Sequence, residues 1–296
     1  MNLEKVEKIA NAVLYEGYIL YPYRPSSVKN RKRFNFGVLA PPEYGLEPSE
    51  MRTECLVSGK AQTLLAVKVR FLQVMEGDDT GSWQQAVERE AAVADCRLED
   101  LVCQSAVAEF EFTEELQGLV NVSARDWGNG LFQVTALVSN QSNMQGLEPR
   151  ERDEILPFSL ISTHTILTVK DGEFISLLDP PDAFKEAAAR CRNMGTWPVL
   201  AGETSERDVM LSSPIILYDH PQIAAESPGD LFDGTEIDEI LTLRILTMTD
   251  EEKQEMRNAD ERGRQILERT EKLSEEHLKK LHGALRGLRP PDGDRS

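Results

Sequence analysis

Residues 15–36, YEGYILYPYRPSSVKNRKRFNF, concentrate the chemistry of recognition: four of the chain's six tyrosines fall here, with five basic residues between Arg24 and Arg33. A guanidinium group offers a planar fork of N–H donors and stacks on aromatic faces, and a tyrosine ring is a rigid surface with one polar tip. Tyr18, Tyr21, Tyr23 and Phe34 would supply contact area, and Arg24, Lys29, Arg31 and Arg33 charge, to a partner surface or an anion. The structural alternative is that the rings pack this segment on its own sheet while the cations pair with the chain's surplus carboxylates.

A second group could hold an ion. Asp219, His220, Glu226 and Asp230 open a run of acids that continues to Glu239. Oxygen-rich clusters suit hard cations, and a histidine beside carboxylates suits zinc or iron. The spacing is neither that of an EF-hand loop nor that of the HExxH helix. Pro221, Pro228, Gly229 and Gly234 mark a long loop, in which acids are commonly just solvated. His164, in the run Ser162-Thr163-His164-Thr165, reads as a strand residue. Beside His220 it would complete a two-histidine divalent-metal site; alone it is a hydrogen-bonded structural histidine. Cys191 stands between Arg190 and Arg192, whose charges would lower its thiol pKa, although a buried and inert thiol is the commoner state. A G-x-S-x-G elbow, a P-loop and a G-x-G-x-x-G loop are all missing from the sequence.

Composition narrows the classes further. The 296 residues carry 33 Lys and Arg against 51 Asp and Glu, a formal charge of −18. Such a chain repels nucleic acid and anionic membranes. Its four cysteines are too scattered for a zinc knuckle or a disulfide scaffold, and a reducing cytoplasmic setting is expected. No apolar run approaches the roughly 20 residues of a membrane span, and residues 1–12 do not resemble an export signal.

The elements that must position these residues read as mostly β. Apolar residues Val6, Ile9, Ala10, Val13 and Leu14 recur at helical steps, so a short N-terminal helix is expected over residues 3–14. Residues 63–75 alternate as a half-buried strand, whereas 84–102 suggest a helix or an irregular excursion. Residues 108–112, 119–122 and 131–138 alternate again, the last two joined by a Gly- and Asn-rich hairpin turn at 126–130. Residues 158–169 and 173–178 suggest another hairpin, reversing at Lys170-Asp171-Gly172. A short helix is expected over 182–192, with strands at 197–200, 209–218 and 237–245. Thr249-Asp250-Glu251-Glu252 spells a capping box and the start of a long C-terminal helix. The stripe Met256, Ala259, Gly263, Ile266, Thr270, Leu273 and His277 packs that helix on its own domain or forms a dimer seam; Gly263, Thr270 and His277 are poor seam residues. The expected fold is α+β: a mainly antiparallel, sandwich-like core (46–248), preceded by the helix and aromatic-basic segment (1–45) and followed by the C-terminal helix and tail (249–296).

Four long stretches, residues 15–42, 159–181, 191–202 and 210–245, resemble proteins encoded within bacterial NiFe-hydrogenase gene clusters. The resemblance implies a part in making, assembling or supporting such a hydrogenase, with a hydrogenase subunit or maturation factor as partner. It assigns no catalytic residue and no cofactor. Four isolated cysteines cannot supply the paired C-x2-C ligands of the large subunit or the clusters of the small one. The expectation is a non-catalytic accessory protein, with a metal-dependent enzyme or metal carrier built on His164, His220 and nearby carboxylates as the alternative.

Overall fold

The computed structural model describes residues 3–15, 36–75, 86–144, 151–222, 242, 245–259 and 261–273. Contacts divide the chain into two compact units, Met1–Tyr15 with Asn35–Pro221, and Glu16–Phe34 with Gln222–Ser296.

The first unit is an eight-stranded sheet in which every pairing is antiparallel, in the order β3-β4-β5-β1-β6-β8-β7, with β2 also on β1. Its spine is β1 (Glu50–Val74). Residues 50–58 pair with β5 (Leu131–Asn140), and 64–74 pair with β2 (Ala86–Arg97), while β6 (Ile161–Ile175) lies along both halves. β3 (Ala106–Thr113) and β4 (Leu116–Gly128) extend the sheet on one side, β8 (Val209–Ser213) and β7 (Trp197–Leu200) on the other. Phe71 of β1 stacks near Phe110 and Phe112 of β3, at 5.5 and 5.7 Å between ring centroids, although the two strands are not neighbours in the sheet. The core thus forms where one strongly coiled sheet folds over on itself, rather than between two separate sheets. Gly118, paired with Phe110, has no side chain for a steric reason: a Cβ there would lie 2.3 Å from that ring.

The N-terminal helix, α1 (Leu3–Tyr15), forms as its periodicity requires. Val6, Ile9 and Ala10 pack on Ile166, Val209 and Leu211, covering the face of β6 and β8 opposite the main core. The β4–β5 hairpin closes through Asn129 and Gly130 at φ 54° and 75°, the two left-handed residues of a type I′ turn. Asp126 braces it, its carboxylate accepting the Gly128 N–H at 2.7 Å.

Two expectations fail for identifiable reasons. Lys170-Asp171-Gly172 does not reverse the chain, and β6 runs straight through it. Asp171 does adopt a positive φ, 63°, but the strain serves a bulge: β1 carries extra residues between Gly59 and Leu64, and the Thr63 hydroxyl donates to the Asp171 carbonyl at 2.8 Å. Of residues 84–102, those from 86 onward are described, and they form strand β2 followed by a single short helix, α2 (Leu98–Cys103). Their alanines and glutamates have weak β propensity, yet Glu88 and Glu90 ion-pair with Arg70 and Lys68 across the strand pair.

Smaller differences follow. After Pro180-Pro181 the helix is only a 3-10 turn, Asp182–Phe184, running into α4 (Lys185–Ala188), and β8 ends at Ser213 because Pro214 cannot extend the ladder. A further short helix, α3 (Arg152–Ile155), precedes β6. The β7 edge is closed deliberately. Ala201 N–H points inward to Val209 O, so Pro198 and Leu200 have the outward positions. Pro198 has no N–H to offer there, and both polar groups of Leu200 are taken by the segment that follows β8.

In the second unit the capping box is present in full: Thr249 N–H donates to Glu252 Oε2 at 3.0 Å, and Glu252 N–H to Thr249 Oγ1 at 3.2 Å. The single long helix is replaced by α5 (Asp250–Ala259) and α6 (Glu261–Glu271). Arg257 Nη2 contacts Glu271 at 3.1 Å, and Lys253 lies 3.8 Å from it. In one continuous helix residues 257 and 271 would stand roughly 21 Å apart, so the two helices lie side by side. That hairpin breaks up the expected seam: Met256 and Ile266 are both buried, but on separate helices, and Thr270 turns its hydroxyl back to the Ile266 carbonyl. Of the strand expected at 237–245, Thr242 and Ile245 are described, and both are helical.

Candidate functional site

Tyr18, Tyr21, Tyr23, Arg24, Lys29, Arg31, Arg33 and Phe34 lie outside the described residues, as do Glu226 and Asp230. The other candidates are placed. His164 is fully buried on β6, directly across from Arg70 of β1. Its Nδ1–H donates to the Ser162 carbonyl at 2.9 Å, which leaves the lone pair on Nε2. Burial drives its pKa down from 6.5 to about 4, against the opposing Ser162 bond; the Arg70 charge lowers it further and Glu88 partly offsets that. His164 is therefore a neutral imidazole at physiological pH.

Arg70 ties three elements together, donating to Asn11 of α1 at 2.8 Å and to Glu88 of β2 at 3.1 Å. Around it, β6 gains one residue relative to β1 between Ile161 and His164, and Ser162 takes φ 53°. Ser162 Oγ, Thr163 Oγ1, His164 Nε2 and Thr165 Oγ1 are buried there without hydrogen-bond partners among the described residues.

Asp219 has a structural role. Its Oδ2 accepts the Ser176 hydroxyl and its Oδ1 the Leu200 N–H at 2.8 Å, while the His220 N–H donates to the Leu200 carbonyl at 2.7 Å. His220 Nδ1 is buried without a partner among the described residues. The anchor of His220 is thus on β7, two strands across from β6 and in register with Leu167, three residues along from His164, so the two lie roughly 14 Å apart at strand spacings. Among the described residues no three His, Cys, Asp or Glu side chains come close enough to share an ion.

The thiols are tuned by burial. Cys55 is fully buried and pushed well above its ordinary pKa, and Cys191 is pushed up to about 12. Burial is the largest cause for Cys191, Glu54 adds to it, and the neighbouring Arg192 only partly opposes it, so the flanking arginines do not activate the thiol. Cys96 and Cys103 line an open cleft of about 520 Å³ between β2, α2 and β3. Cys96 also titrates high, from burial first and then the carboxylates of Asp100 and Asp95.

One arrangement escaped sequence reasoning altogether. Trp127, read only as part of a turn, lies beneath the guanidinium groups of Arg125 and Arg190, whose Cζ atoms stand 5.1 and 5.3 Å from its ring centroid. Residues 125–127 and 190 are remote in sequence, so no local spacing announces the contact.

No protein-family model matches the chain, and no curated protein matches it.

Proposed function

We propose that the chain is a non-catalytic binding protein that supports assembly or maturation of a NiFe hydrogenase through contacts with a hydrogenase subunit or a maturation factor. One observation supports the non-catalytic part of this reading: among the described candidates, burial holds His164 neutral and Cys55 and Cys191 as protonated thiols. The partner is named by the resemblance of the four stretches described above, and the aromatic-basic segment at 15–36 supplies the residue types that dominate protein interfaces. The test is co-purification of the tagged chain with hydrogenase subunits, compared with a variant in which Arg24, Arg31 and Arg33 become Glu. Loss of recovery in the variant supports the reading. Equal recovery removes the segment from the interface, and no recovery with the native chain removes the hydrogenase partner.

A second reading, a divalent-metal enzyme or carrier, would use as separate ligands the His164 Nε2 and the His220 Nδ1, both buried without partners among the described residues. It requires stoichiometric metal in the purified protein, lost when both histidines become alanine. Elemental analysis decides it.

A further inference from the structure

The setting of Trp127 is built rather than incidental. Its indole N–H donates to Gln133 Oε1 at 3.1 Å; Gln133 Nε2 donates to Glu54 Oε2 at 2.8 Å; and the same carboxylate oxygen accepts the backbone N–H of Arg192 at 2.6 Å. This relay fixes the half-buried indole and the segment carrying Arg190 and Arg192 in one frame, and all three arginines, with Arg125, are exposed.

The nearby carboxylates are already committed. Asp126 caps the hairpin, and Glu54 is held by the relay. Glu186 binds Arg190 at 2.8 Å in a largely solvated pair, which contributes little. Arg125 and Arg192 have no carboxylate partner among the described residues, in a chain with a surplus of 18 acids.

We propose that Arg125, Trp127, Arg190 and Arg192 form a docking surface for an acidic peptide segment of a partner protein. Guanidinium forks match carboxylates, the indole face accepts the intervening apolar groups, and the relay reduces the ordering cost of binding. The net charge of the chain does not forbid this, because charges beyond a Debye length of about 8 Å are screened at physiological salt. A nucleic acid is disfavoured: its charge density, about one per 1.7 Å of duplex, would bring many phosphates against the acidic surroundings. The proposal rests on the binding-protein reading and adds the chemistry of a partner, assigned to residues other than those of the 15–36 segment.

The probe is a short fluorescein-labelled peptide of alternating Glu and Leu, titrated into the full chain at physiological ionic strength and followed by anisotropy. The native protein should bind it saturably, and R125E/R192E should bind about tenfold or more weakly with an unchanged melting curve. Trp127→Phe, which keeps the ring packing but loses the N–H to Gln133, should weaken it to a smaller extent. Reversal at Arg24, Arg31 and Arg33 should leave peptide binding intact, so that failure of the hydrogenase reading and failure of this one are separable. Absence of binding by the native chain, equal affinity in R125E/R192E, loss of binding on reversal at Arg24, Arg31 and Arg33, or tighter binding of a single-stranded oligonucleotide of equal charge would each overturn the proposal.

Discussion

Arg70 and His164 face each other across the β1–β6 pair, a permanent cation beside a buried imidazole. The pairing holds only while the imidazole is neutral. Its folded pKa, about 4, lies below the ordinary 6.5, so the unfolded chain binds the proton more tightly. The stability this group contributes is complete above pH 6.5 and is lost as the pH falls towards 4. The full span is worth about 3 kcal/mol. Urea midpoints measured at pH 7 and pH 5 should fall for the native protein, and His164→Gln should flatten that fall. An equal drop in the variant would mean that other groups set the pH dependence.

The β1–β6 bulge makes a different demand. The Thr63 hydroxyl accepts the Lys60 N–H at 2.9 Å and donates to the Asp171 carbonyl at 2.8 Å. Thr63→Val keeps the shape and removes both bonds, and should cost about 1–3 kcal/mol in urea unfolding. Asp171→Gly relieves the positive φ and should be neutral or mildly stabilising, whereas Asp171→Val should be destabilising by about 1–2 kcal/mol.

Thiol accessibility follows from the same burial. Cys103 is exposed, Cys96 and Cys191 are partly covered and Cys55 is sealed. Brief alkylation at pH 8, mapped by peptide mass spectrometry, should label Cys103 first, Cys191 slowly because its thiol is held near 12, and Cys55 only after unfolding. Early labelling of Cys191 would contradict the buried, protonated state.

What could be read in advance follows the range of the forces involved. The capping box at Thr249 and Glu252, the helix at residues 3–15 and the Gly128–Gly130 hairpin are set by neighbours within four residues, and the sequence patterns announce them. Asp171-Gly172 carries the same local turn signal as Asn129-Gly130. Its outcome differs because β1 offers a 15-residue strand a continuous partner on both sides of the bend. Likewise, nothing between residues 250 and 271 specifies that Arg257 meets Glu271. For the candidate site, the pattern around His164 gave a strand, but its cross-strand partner Arg70, tied to Asn11 of α1, is remote in sequence, and the Arg125–Trp127–Arg190 group exists only once β4 and the segment after α4 are brought together.

Asp219 provides the sharpest separation between a structural role and a metal role. Its carboxylate closes the outward face of β7 by accepting the Leu200 N–H, and it holds Ser176 at the far end of β6. Asp219→Asn keeps one carbonyl oxygen, which can face either donor but not both. Asp219→Ala keeps neither and leaves the Leu200 N–H, next to the Pro198 position, unpaired at the sheet edge. Stability should therefore fall in the order native, Asn, Ala, with a total loss of about 1–3 kcal/mol, and amide exchange at Leu200 should accelerate in both variants. A structural role also requires this order to be the same in the presence of a chelator. If the chelator alone lowers the native melting temperature to that of Asp219→Ala, the carboxylate is holding an ion and the edge-closing role is wrong.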